Sequence, residues 1–81
     1  MTRDEVLDLV RSHLAEELEV EKDKIGEGTR FKDDLDADSL DLYELVMELE
    51  DRYGVAVSEE QASRIETVGD AVSFVVEHAP A

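Results

Sequence analysis

The sequence predicts an all-α fold, a four-helix bundle with a long first loop and a short third helix. Three observations predict it. Helix formers such as Glu, Leu, Ala and Val dominate the 81 residues, while glycine is held to 4 and proline to 1, so the punctuation of a many-stranded sheet is missing. Apolar residues recur in steps of three and four. Residues able to cap a helix N-terminus stand ahead of each such stretch. A chain of this length holds apolar surface for one modest core, so a single domain over 1–81 is expected.

Thr2-Arg3-Asp4-Glu5 reads as a capping box, and Val6, Leu7, Val10, Leu14 and Leu18 follow along one helical face. Helix one is predicted over about 3 to 18. From Glu21 to Arg30 the sequence turns polar and contains two glycines, and Ile25, Phe31 and Leu35 are the predicted anchors of this long connection. Asp38 can cap a second helix and Gly54 can end it in a left-handed turn, which predicts helix two over about 39 to 53. Ser58-Glu59-Glu60-Gln61 resembles another cap, but the segment to Arg64 has room for barely two turns, hence a short third helix. Thr67 and Asp70 form a cap ahead of Val68, Ala71, Val72, Val75 and Val76. These valines would also suit a strand, yet their spacing predicts helix four.

Eight basic residues against 23 acidic ones leave a net charge of -15, which repels a phosphate backbone and excludes nucleic acid as a partner. The same field attracts basic patches on other proteins and strains the folded state by self-repulsion. Magnesium or added salt is therefore expected to raise the melting temperature. A melt identical in low-salt and magnesium-containing buffer would refute that expectation. Six acidic residues interrupt the first twenty, so neither a secretory segment nor a membrane span is expected. Without cysteine there is no disulfide framework or thiolate metal site, and the cytoplasm is the expected compartment.

With residues placed about 100° apart, Leu42, Leu45, Val46, Leu49 and Tyr53 form the core stripe of helix two. Leu40, Tyr43 and Met47 fall on another side, flanked by Asp41, Glu44, Glu48 and Asp51. An exposed apolar strip with an acidic margin suits protein docking, although charges of this kind also simply solvate a helix. Ser39 falls in the first turn, where its hydroxyl can face solvent and helix-end N–H groups can meet a phosphate. Asp38 and Asp41 beside it could share a magnesium ion with an incoming pyrophosphate-type donor. A serine following a cap is by itself an ordinary structural feature.

The run from Asp34 through Ser39 to Asp41, continued by Glu44 to Glu50 and by Thr67-Val68-Gly69-Asp70-Ala71, resembles the acyl carrier protein family over essentially the whole chain. The resemblance implies that Ser39, in Asp-Ser-Leu, accepts 4'-phosphopantetheine from coenzyme A through a separate magnesium-dependent phosphopantetheinyl transferase. It implies a carrier and not a catalyst, a monomer that presents acyl thioesters to synthase enzymes bearing basic patches. Family docking positions correspond to Asp38, Leu40, Asp41, Glu44, Met47 and Glu50, and the helix-face reading adds Glu48. Positions lining the acyl cavity correspond to Phe31, Val46, Leu49, Ile65 and Ala71, which would equally serve as ordinary core. Relatives commonly have glycine where this chain has Asp36. Fatty acid synthesis is the expected pathway, with polyketide or other specialised acyl or aminoacyl synthesis as the alternative, and an acidic adaptor without a prosthetic group as a further one.

Two other classes fail on residue placement. Asp34, Asp36 and Asp38 alternate as in a calcium loop, but Ser39 stands where that loop needs glycine and Leu45 where it needs a bidentate glutamate, so no dedicated metal site is expected. Ser39, His13 and His78 could be assembled into a hydrolase triad on paper, but no nucleophile elbow accompanies them.

Overall fold

Capping boxes open all four helices of the computed structural model, which describes residues 2–79; of the domain expected over 1–81, residues 1, 80 and 81 lie outside the described residues. The helices are α1 (Arg3–Leu18), α2 (Ser39–Tyr53), α3 (Glu59–Ser63) and α4 (Val68–His78), and the described residues form no strand. At α1, Thr2 Oγ1 accepts from the Glu5 N–H at 3.2 Å and Glu5 Oε2 accepts from the Thr2 N–H at 3.4 Å. Each box satisfies N–H groups that a helix start leaves without partners. The predicted boundaries of α1 and α2 agree with those observed.

Gly54 ends α2 in the left-handed region at φ 68, as its sequence position predicts. The end of α1 is different. Glu19 takes a left-handed cap at φ 55, with its N–H donating to Ala15 O, and no glycine signals it.

The long connection after α1 is better structured than its polar sequence suggests. Lys22–Lys24 form a 3₁₀ turn that Arg11 holds by donating from Nη2 to Lys22 O at 2.9 Å. Lys22 also pairs with Asp8, and this hydrogen-bonded ammonium draws the Asp8 carboxyl below its ordinary pKa. Further on, the loop lies against the start of α4. Phe31 donates to Glu66 O at 3.0 Å, Val68 to Thr29 O at 2.9 Å and Gly69 to Glu27 O at 2.7 Å. The isolated antiparallel bridge between Arg30 and Thr67 belongs to this seam, which apolar periodicity does not encode.

Gly69 permits that approach, because a Cβ there would lie 2.9 Å from the backbone oxygen of Glu27. Gly69→Ala is expected to cost about 1–3 kcal/mol as the seam shifts to make room. A urea unfolding curve checks this, and an unchanged midpoint would show that the seam gives freely.

The core joins Val6, Val10 and Leu14 of α1 to Leu45 and Leu49 of α2 and to Val68, Ala71, Val72 and Val75 of α4. Ile25 and Phe31 seal it from the loop as predicted, while Leu35 is only half-buried. Packing between α1 and α4 is more extensive than between α1 and α2. Val68, Val72 and Val75 are thus drawn into a helix by the face they bury, against their β-branched preference, whereas Val76, expected on the same stripe, is 41% exposed. α3 contributes no fully buried residue; Ile65, just beyond it, does. α3 borders the cleft described below through Glu59, Ala62 and Ser63.

Candidate functional site

The last turn of the loop fixes the start of α2. Asp34 and Leu35 both donate to Arg30 O at 3.1 Å, and Ala37 donates to Phe31 O at 2.8 Å. Arg30 in turn donates its own N–H to Asp34 Oδ2 at 2.8 Å. Between these contacts Asp36 stands in the left-handed region at φ 53, the conformation for which glycine is best suited and aspartate is among the tolerated residues. Ala37 is buried, an anchor that its size and its place in an acidic run conceal in the sequence.

Ser39 follows as the first residue of α2 and is exposed. Among the described residues its hydroxyl takes part in no hydrogen bond. Asp38 Oδ1 accepts from the Asp41 N–H at 3.0 Å, and Asp41 Oδ2 accepts from the Asp38 N–H at 3.2 Å. The capping box thus engages one oxygen of each carboxylate and leaves the serine free.

Along α2 the predicted strip is exposed: Leu40 by 64%, Tyr43 by 50% and Met47 by 61%. Its acidic margins separate to two sides. Glu50 turns towards the α2–α3 connection, where Oε2 accepts from the Val57 N–H at 3.0 Å. Its carboxylate therefore serves the fold first, a role that the docking expectation did not contain. Glu48 pairs with Arg52 one turn on at 3.6 Å. Asp41 and Glu44 face α1, where one carboxylate oxygen from each and one from Glu17 all lie within 4.8 Å of one another.

This convergence raises the Glu17 pKa, first through the hydrogen bond its protonated form shares with Glu44, then through desolvation and the charges of Glu44 and Asp41. The folded protein binds that proton more tightly than the unfolded chain, so Glu17 opposes folding above its folded pKa. The penalty fades as pH falls from that value to the unfolded carboxylate range and is absent below it. Glu17→Gln is expected to raise the melting temperature at pH 7, with the advantage disappearing in acid. A gain independent of pH would assign the effect to something other than charge. Nothing in a single sequence places Glu17 opposite α2.

A cleft runs beside Ser39 between α2, α3 and the loop. One lobe, of about 240 Å³, is bordered by Lys32, Ser39, Tyr43, Val46 and Glu59. A second, of about 470 Å³, is bordered by Arg30, Phe31, Asp33, Ile65 and Glu66. Lys32, Leu42, Ala62 and Ser63 line both lobes, so they are neighbouring parts of one furrow. The five predicted cavity residues are not gathered around one space. Phe31 and Ile65 border the larger lobe and Val46 the smaller, whereas Leu49 and Ala71 are packed into the core and border neither. Both belong to the core cluster centred on α1 and α4, which keeps them away from the furrow.

The competing chemistries find no support in the geometry. His13 lies half-buried on α1 and His78 stacks on Phe74 at 4.2 Å on α4, while Ser39 belongs to α2 with its hydroxyl engaged by neither. Asp34, the first residue of the notional calcium loop, spends a carboxylate oxygen on the Arg30 N–H.

An unengaged, exposed hydroxyl at the mouth of a partly apolar cleft has the access and the neighbouring volume that a tethered arm with an apolar load requires. The residues present therefore fit a phosphopantetheine group. They define the class of small helical carriers whose chemistry resides on such an arm. The comparisons agree. The family model described as phosphopantetheine attachment site matches residues 8–75. The acyl carrier protein of Lactobacillus acidophilus is 44% identical over 78 residues, covering 96% of this chain and 98% of that one. A solved structure of the acyl carrier protein from Enterococcus faecalis superposes with a TM-score of 0.84 at 43% identity, covering 98% of this chain and 100% of the other. The chain belongs to the acyl carrier protein family.

Members of that family are carriers and not catalysts, their prosthetic group is 4'-phosphopantetheine, and they work with the enzymes of fatty acid synthesis. Among the described residues no helix is long and apolar enough to cross a membrane.

Proposed function

We propose that Ser39 is the attachment point of the arm and that this chain carries growing fatty acyl groups as thioesters, as a cytoplasmic monomer. The observation that supports this best is the free Ser39 hydroxyl at the first position of α2, held in place by the loop contacts on one side and the Asp38–Asp41 capping box on the other. A phosphopantetheinyl transferase would join Ser39 Oγ to the pantetheine-side phosphorus of coenzyme A, breaking the pyrophosphate bond so that adenosine 3',5'-bisphosphate leaves and the hydroxyl proton is released. The bound group supplies the thiol that the cysteine-free chain lacks.

The chain's own residues then have three tasks. Leu40, Tyr43 and Met47 offer apolar contact to partner enzymes, and the flexible methionine adapts to several of them. Asp38, Asp41, Glu44 and Glu48 steer basic patches towards Ser39, with Glu50 contributing from the opposite margin. Phe31, Ile65 and Val46 wall the furrow into which an acyl chain can fold, while Leu49 and Ala71 serve the packed core.

Incubation with coenzyme A, magnesium and a broad-specificity transferase, followed by intact-mass measurement, tests the central claim. Wild type is expected to gain one phosphopantetheine and Ser39→Ala none. Equal gains, or no gain on wild type, would refute it. Partner binding that persists undiminished in Ser39→Ala without any loading would favour the adaptor instead.

A further inference from the structure

Charge around Ser39 is distributed unevenly. Asp38 and Asp41 lie beside it in sequence, and Asp41 with Glu44 carries the acidic margin towards α1. On the other side lies the furrow, and the lobe that Ser39 borders has a single cation in its wall, Lys32. Of the eight basic side chains, Arg3, Lys22, Arg30, Arg52 and Arg64 form ion pairs and Arg11 donates to a backbone carbonyl. Only Lys24 and Lys32 have neither among the described residues. A chain with a net charge of -15 thus leaves one of its few cations uncommitted at the rim of the Ser39 lobe, although the same wall holds Glu59.

We propose that Lys32 is a positioning residue that places its ammonium on the phosphodiester formed at Ser39, turning the root of the arm towards the furrow and away from the acidic margin. The proposal rests on Ser39 as the attachment point. A phosphodiester is a permanent anion at neutral pH, and Asp41 repels it from the α1 side while Asp38 repels it from the helix cap. Lys32 attracts it on the α3 side. Both effects point towards the lobe bordered by Val46, Tyr43 and Ala62, with Glu59 in its wall the one opposing charge. A lysine suits this task because its four-carbon stem can follow the arm as it moves, and its compact charge needs no fixed fork geometry. Leu42 and Ala62, shared by both lobes, are then the first apolar surfaces that the arm meets. The acidic margin remains open to basic partners while the arm rests on the other flank.

The test uses the full-length holo protein, loaded enzymatically, with intact mass establishing attachment first, so that failure to load is distinguished from failure of the proposal. The ³¹P resonance of the arm is compared in wild type, Lys32→Gln, Lys32→Arg and Lys24→Gln, each checked for helical circular dichroism. Lys32→Gln is expected to shift the resonance and to remove nuclear Overhauser contacts between the arm's methyl groups and Leu42 or Ala62. Lys32→Arg is expected to restore both, and Lys24→Gln, which changes net charge equally, to leave them as in wild type. A resonance and contacts unmoved by Lys32→Gln, or moved as far by Lys24→Gln, would overturn the proposal.

Discussion

Phe31→Ala is expected to cost about 3–5 kcal/mol, the usual range for emptying a buried phenylalanine site. Phe31 is only 2% exposed and stands where three parts of the molecule meet. Its N–H holds the α4 approach through Glu66 O, its carbonyl holds Ala37 and with it the turn into α2, and its side chain borders the larger lobe of the furrow. The backbone contacts can persist in the variant, but the aromatic ring that keeps the loop on the core is gone. Small domains have stabilities of about 5–15 kcal/mol, and self-repulsion at a net charge of -15 draws this one towards the lower end. Much of the variant should therefore be unfolded at low salt. Magnesium should raise the wild-type and variant melts by similar amounts, since screening acts on charges that the substitution leaves alone. Urea unfolding followed by circular dichroism measures the difference, and a loss below about 1 kcal/mol would show that the loop is held by its hydrogen bonds instead.

Such a role for Phe31 shows which parts of this fold its sequence discloses. The helices were legible because their signals are local: Thr2, Asp38, Ser58 and Thr67 cap within three residues of themselves, and Gly54 ends α2 in the conformation glycine favours. The exposed strip of Leu40, Tyr43 and Met47 is legible because a regular α-helix turns by a fixed angular step that sorts its faces. Ser39 is legible through the resemblance of its surroundings to a family, and its place in the first turn of α2 follows from the Asp38 cap. Contacts between distant segments were not legible. Gly69 against Glu27, Glu17 against Glu44, and Lys32 beside Ser39 each join residues on different elements, and no local period records which residue of one element meets which of another. The acyl-lining expectation failed to gather one cavity for the same reason. Leu49 and Val46 are three apart on α2, yet one faces the packed centre and the other the furrow.

Glu44→Lys should separate what the acidic margin does for partners from what it does to the fold. Asp41 is the poorer choice for this experiment, because its carboxylate also closes the α2 capping box on the Asp38 N–H. At Glu44 a lysine replaces one member of the Glu17–Asp41–Glu44 convergence with a cation, so the repulsion that raises the Glu17 pKa becomes attraction. The melting temperature is therefore expected to rise at pH 7. The rate at which the transferase or a synthase enzyme uses the protein is expected to fall, by about 10- to 100-fold in kcat/KM at low salt, because a reversed charge now repels the patch it formerly steered. The loss should shrink as salt is added, since long-range steering is screened over about a Debye length. A variant that is both more stable and less active cannot owe its lost activity to unfolding. Unchanged rates at low salt would instead remove Glu44 from the docking surface and leave its carboxylate with only a destabilising contact against α1. Retaining that contact makes physical sense if the margin is read by partners, because the same negative charge that α1 resists is the charge that a basic enzyme surface seeks.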